Sequence, residues 1–158
     1  MKGRAKACME PVVEGSLLPS DLDEGMVRAV VHGFYARIRD DDLLGPLFNR
    51  VIADEKWPHH LGKMSDFWSS VVLRTGRYQG RPLPPHLVIP ELEEDHFRRW
   101  LGLFEATVSQ ICPPETASLF MDRALRIAHS FRLSIAFNRG EDTLGIKPIT
   151  RQSLPGFQ

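Results

Sequence analysis

Two histidines, a tyrosine and a tryptophan carry the chemistry this chain could do. His86 lies in a short proline-bound stretch, P-L-P-P-H-L-V-I-P (82–90), and His60 in an apolar-striped segment, W-P-H-H-L-G-K-M-S-D-F-W (57–68). A neutral imidazole offers a lone pair to a metal, and iron in a flat porphyrin takes such a ring on one face and polar groups on the other. Pro84, Pro85 and Pro90 restrict the backbone around His86, which lowers the entropy lost in presenting a fixed ring. Its second ring nitrogen should then donate to a backbone carbonyl and set the tautomer. His59 is turned about 100° from His60 on a helix, so only one of the two can face a slot. Tyr35 and Trp100 lie beside or on apolar stripes, and each carries a donor that needs a partner if buried. Each of these residues also has a plainer role: a loop histidine, a histidine at the core's edge, a tyrosine packing its ring, a core tryptophan. Local context alone favours that plainer role for each.

Other chemistries lack their residues. There is no G-x-x-x-x-G-K-[ST] and no G-x-G-x-x-G, and H-x-x-x-H spacing is absent. Ser69-Ser70 has no G-x-S-x-G setting. The carboxylates at 40–42 and 91–95 read as solvated helix ends. The 20 Lys and Arg balance the 20 Asp and Glu, which argues against a phosphate-tracking nucleic-acid binder and a polybasic membrane anchor. No apolar run approaches a membrane span, and no secretory signal is read at the start. Two cysteines, Cys8 and Cys112, form neither a disulfide framework nor a zinc set and suit a reducing cytoplasm. Without C-x-x-C-H, any haem would be held non-covalently.

The elements that must position these residues are helical. The 158 residues suffice for one domain, 42% hydrophobic and 25% charged. Residues 1–19 read as a mobile N-terminal arm, and 140–158 as a loose polar tail. Between them, 20–139 form the domain. Ser20 and Asp23 suggest a capping box for a helix over roughly 21–39, striped by Val27, Val30, Val31, Phe34 and Ile38. Asp40-Asp41-Asp42 and Gly45-Pro46 read as a compact corner ending in Phe48. Asp54 is the expected cap of a second helix, striped by Trp57, Leu61, Met64, Trp68, Val71 and Val72 and stopped by Gly76. A single helical turn starts near Pro84 or Pro85. A third helix spans about 92–111, and a fourth opens at Pro113-Pro114 and ends at Asn138-Arg139-Gly140. The stretch T-L-G-I (143–146) is ambiguous, and nothing else alternates as a sheet would. The expected class is all-α.

Four strings in register carry a resemblance: F-Y-A-R-I-R-D-D-D-L-L-G-P-L-F (34–48), the string 57–68, G-R-Y-Q-G-R-P-L-P-P-H-L (76–87) and H-F-R-R-W-L-G-L-F (96–104). Together they resemble the truncated haemoglobins of group III over about residues 22–137. The resemblance implies a globin-like, two-over-two helical sandwich enclosing haem b (iron protoporphyrin IX). It implies His86 as the iron ligand and Tyr35, His60 and Trp100 as the distal, ligand-stabilising cluster. Phe34, Phe48, Met64, Trp68 and Phe97 would line the haem. Relatives carry basic residues where Pro84-Pro85 stand here, leaving Arg74, Arg77 and Arg81 as candidates for the propionates.

The function this implies is binding of dioxygen, and of NO or CO, at ferrous haem. Tyr35 and Trp100 would donate to the ligand, and His60 would tune the tyrosine or gate entry. Slow oxygen release is expected, which suits redox, NO or peroxide chemistry better than storage. Peroxidase-like or nitric-oxide dioxygenase turnover is the alternative, and it needs an external reductase because the chain has no flavin or nicotinamide motif. A haem-free helical interaction domain is a further alternative. The expected state is a cytoplasmic monomer or weak dimer.

Overall fold

A computed structural model describes residues 18–155, and all its regular elements are helical, with no strand among the described residues. Helix α1 (Glu24–Asp40) is capped by Asp23, whose carboxylate accepts the Met26 N–H at 2.8 Å. The cap falls at Asp23 rather than at Ser20 because Pro19 to Leu22 form a turn and Asp21 accepts the Thr116 hydroxyl at 2.9 Å. The inner face of α1 buries Val27, Val30, Val31, Phe34, Tyr35 and Ile38.

The expected corner at 40–48 contains a helix, α2 (Leu44–Val51). Pro46 falls in its first turn, where a missing N–H costs no helical bond. Asp41 is not a solvated acid. Its side chain is 6% exposed, accepts the Leu43 and Leu44 N–H groups at 3.0 and 2.9 Å, and pairs with Arg99 at 2.6 Å. Gly45 lets the corner close: a Cβ there would stand 2.6 Å from the Arg39 carbonyl oxygen.

Helix α3 (Trp57–Trp68) is entered by a 3-10 turn (Asp54–Lys56) and prolonged by a π-helical turn (Ser69–Leu73). Asp54 does not cap it but pairs with Arg39 at 3.0 Å. The chain leaves the helix at Arg74, in the left-handed region at φ 60°, two residues before Gly76 at φ 75°. A short α4 (Leu83–Leu87) follows. Helix α5 (Glu94–Ile111) starts with a reciprocal box, Glu93 capping the His96 backbone and the His96 ring accepting from the Glu93 N–H. Helix α6 (Pro114–Asn138) ends, as the sequence suggests, before Gly140 at φ 75°.

Helix α1 packs on α2, α3 and α5, while α6 packs on α5 and α4. Two pairs result, α1 with α3 and α5 with α6, in the expected two-over-two arrangement. Phe34, Trp68, Phe104 and Phe120 are buried between them. The described part of the segment after Gly140, expected to be loose, is anchored over 147–154. Ile149 is 5% exposed, Arg151 pairs with Glu105 at 2.6 Å, and Arg132 donates to the Lys147 carbonyl. The ambiguous 143–146 stretch is a turn. Apart from residues 18 and 19, the N-terminal arm, with Cys8, lies outside the described residues.

Candidate functional site

His86 stands on the four-residue-separated carbonyl of Pro82. Its Nδ1 lies 2.6 Å from that oxygen. A carbonyl only accepts, so Nδ1 carries the proton and Nε2 keeps a free lone pair, the tautomer a metal ligand requires. This is the carbonyl contact expected from the sequence. Burial lowers the pKa of His86 and the bond to Pro82 partly opposes that, so the ring favours its neutral form. Phe131 of α6 packs on it, ring centroids 4.9 Å apart. The surroundings are apolar: Leu87, Ile89, Phe97 and Phe131 pack about a small core of Leu47, Leu92 and Ile135.

The other candidates gather on α1, α3 and α5. Tyr35 is 5% exposed, and burial raises its pKa, so the hydroxyl keeps its proton and remains a donor. Its ring meets His60 edge-on at 5.2 Å and Phe48 at 6.1 Å. Phe34 touches both Tyr35 (5.0 Å) and Trp100 (5.3 Å). Trp100 stacks on Phe104 at 5.7 Å, and Phe104 stacks in turn on Trp68 at 4.9 Å. His59 is exposed, whereas the Nε2 of its neighbour His60 is buried with no hydrogen-bond partner among the described residues. Burial first, then repulsion from Lys63, His59 and His86, lowers the His60 pKa to about 4.

The structure thus brings Tyr35, His60, Phe34, Phe48 and Trp100 to one region. Phe97 belongs to the apolar surroundings of both sides. The expected lining residues divide in two. Phe34 and Trp68 are covered by protein on all sides, while Phe48, Met64 and Phe97 are half-buried. Of the three candidate propionate partners, Arg77 is engaged elsewhere, with Glu24 at 3.0 Å. Trp57, read from sequence only as part of a core stripe, also belongs here. It lies 5.3 Å from His60 and 5.8 Å from Tyr35.

These residues fit a haem. Among the described residues, no three His, Cys, Asp or Glu side chains converge as they would on a bare metal ion. A metal on His86 therefore needs its remaining ligands from a group such as a porphyrin. The apolar half-buried side chains suit the flat ring, and the unpartnered His60 Nε2 and the Tyr35 hydroxyl suit its polar ligand side.

No family model matches the sequence. The chain is similar to the group 3 truncated hemoglobin ctb of Campylobacter jejuni, with 34% identity over 113 residues, covering 70% of this chain and 89% of that protein. It is also similar to the crystal structure of group III truncated hemoglobin from Campylobacter jejuni. That comparison has a TM-score of 0.69 and 31% identity, covering 75% of this chain and 95% of the other.

Proposed function

The chain belongs to the group III truncated haemoglobins, and from that membership we propose that it binds diatomic gases, dioxygen foremost, at a b-type haem held by His86. The observation that carries the reading is the Nδ1 to Pro82 contact of 2.6 Å, which leaves Nε2 as a bare, oriented lone pair. Haem, when bound, would supply a ferrous centre that takes a diatomic gas and leaves partial negative charge on it.

Tyr35 and Trp100 would meet that charge with an O–H and an indole N–H. Hydrogen bonds to charged groups contribute about 1.5–3 kcal/mol each. Two of them slow release on the order of 10²-fold or more, too firm a hold for delivery. His60, neutral at ordinary pH because burial holds it near about 4, either tunes the Tyr35 hydroxyl or gates entry. The apolar side chains Phe48, Met64 and Phe97 exclude water from the ring.

The absorption spectrum tests the reading. The purified or reconstituted chain should show a Soret band, and His86→Ala should lose it. No band after reconstitution overturns the haem reading and leaves a haem-free helical domain. The crowding of polar groups on the ligand side favours a second role, turnover of nitric oxide or peroxide. That role requires an external reductase. Turnover of either substrate with an added reductant checks it.

A further inference from the structure

Three rings close a triangle at the start of α3: Tyr35 to His60 at 5.2 Å, His60 to Trp57 at 5.3 Å, and Trp57 to Tyr35 at 5.8 Å. Trp57 is 3% exposed. Its Nε1, which can only donate, is buried without a partner among the described residues, and so is Nε2 of His60. A buried donor and a buried acceptor, unpartnered on touching rings, are a pair that hydrogen-bonding economy would join, directly or through a ligand atom between them.

The other side of Trp57 is clamped. The Arg39 guanidinium lies 4.6 Å from its ring centroid. Arg39 is in turn fixed by Asn49 at 3.0 Å and Asp54 at 3.0 Å, and the Asn49 amide donates back to the Arg39 carbonyl at 3.2 Å. The indole therefore cannot turn without losing its contact with Arg39, which is itself tied to α2 and to the turn that opens α3.

We propose that Trp57 is a positioning residue: held by the Arg39–Asn49–Asp54 clamp, its ring edge and N–H keep His60 turned inward in one tautomer. As the two rings stand neither nitrogen has a partner among the described residues; a rotation that brings the Trp57 N–H to Nε2 of a neutral His60 leaves the ring proton on Nδ1. The inference rests on the haem reading for its consequence in ligand binding, but the contact itself does not.

The decisive variant is Trp57→Phe, which keeps a ring and deletes the N–H. Two measurements are made on the full chain. Nitrogen-15 shifts of the His60 ring report the tautomer, with or without haem. With carbon monoxide as the probe ligand, the CO stretching band reports the electrostatics of the ligand side. The wild type is expected to show one His60 tautomer and one dominant CO band. Trp57→Phe should mix the tautomers and split or shift the band, and in a His60→Leu background it should leave the band where His60→Leu alone puts it. Arg39→Met, which retains the indole, should move both readouts in the same direction by less. Unchanged His60 shifts in a folded Trp57→Phe protein overturn the proposal. So does a band shift that persists undiminished without His60, which would make Trp57 a direct ligand contact. Should Trp57→Phe fail to fold, unaltered His60 shifts in Arg39→Met overturn it instead. Absence of a Soret band counts against the haem reading alone, because the nitrogen shifts are still read.

Discussion

Tyr35 should govern how long a ligand stays. It is the buried donor in contact with Phe34, Phe48, Trp57 and His60, and its raised pKa keeps the proton in place. Tyr35→Phe should speed oxygen release on the order of 10- to 100-fold, the worth of one hydrogen bond to a charged acceptor. Stopped-flow release kinetics check this, and an unchanged rate removes Tyr35 from the role. His60 should make itself felt in stability. The unfolded chain takes up a proton near the ordinary 6.5, the folded site only near about 4. Between those values the unfolded state binds more protons, so stability falls as pH drops from 6.5 towards 4, and above 6.5 this group has no effect. His86, also lowered by burial, acts in the same sense. The urea midpoint should therefore fall less between pH 7 and pH 4.5 in His60→Leu than in the wild type, and an equal fall would refute the assignment. Residues are where the sequence was least legible. Local context favoured plain roles for His60 and His86, and only their order among Tyr35, Phe48 and Trp100 singled them out. Trp57 escaped because its partner Arg39 reaches it across a corner, and spacing along a chain does not encode such a contact.

The corner itself makes the case at the level of elements. The long helices could be read because their apolar stripes recur at three and four residues over several turns. Helix α2 is eight residues long and carries Gly45-Pro46, which reads as a turn. What turns that pair into a helix start is tertiary: Asp41 binds the first amides of α2 while pairing with Arg99 on α5. Gly45 is required there because the Arg39 carbonyl lies where a Cβ would be, at 2.6 Å. Gly45→Ala should destabilise the protein by about 1–3 kcal/mol, the usual range for forced overpacking against backbone. Denaturant unfolding measures this, and a neutral outcome would show that the α1–α2 corner can open without loss. Arg74 poses the reverse case, a non-glycine residue in the left-handed region directly after a π-helical turn. Turns of that kind are frequent at functional sites, and nothing in the local sequence announces it.

At the scale of the whole molecule, the two helix pairs do not finish at Gly140. Ile149 is buried against the core, Arg151 is held by Glu105 on α5 and Ser118 on α6, and Arg98 reaches Ser153. Contact with Arg151 also lowers the pKa of Glu105. The polar composition of this segment hid its anchoring, which rests on Ile149 and Leu154 against the core and on Arg151. Ile149→Ala should cost about 2 kcal/mol, the low end for a buried isoleucine because a marginal site can relax. For a chain of this size that is a drop in Tm of about 4–8 °C, read by thermal scanning. No change would mean that the strap is dispensable. Among the described residues no helix is long and apolar enough to cross a membrane.

The column Trp68–Phe104–Trp100 and the neighbouring Trp57 have an optical corollary. The chain has three tryptophans, and all three lie in this one aromatic neighbourhood. Tryptophan emission therefore comes from this one neighbourhood of the molecule. A porphyrin within reach would drain that emission by energy transfer, so the protein carries its own gauge of occupancy. Fluorescence should be bright in the pigment-free chain and extinguished on loading, in a titration that needs no added label.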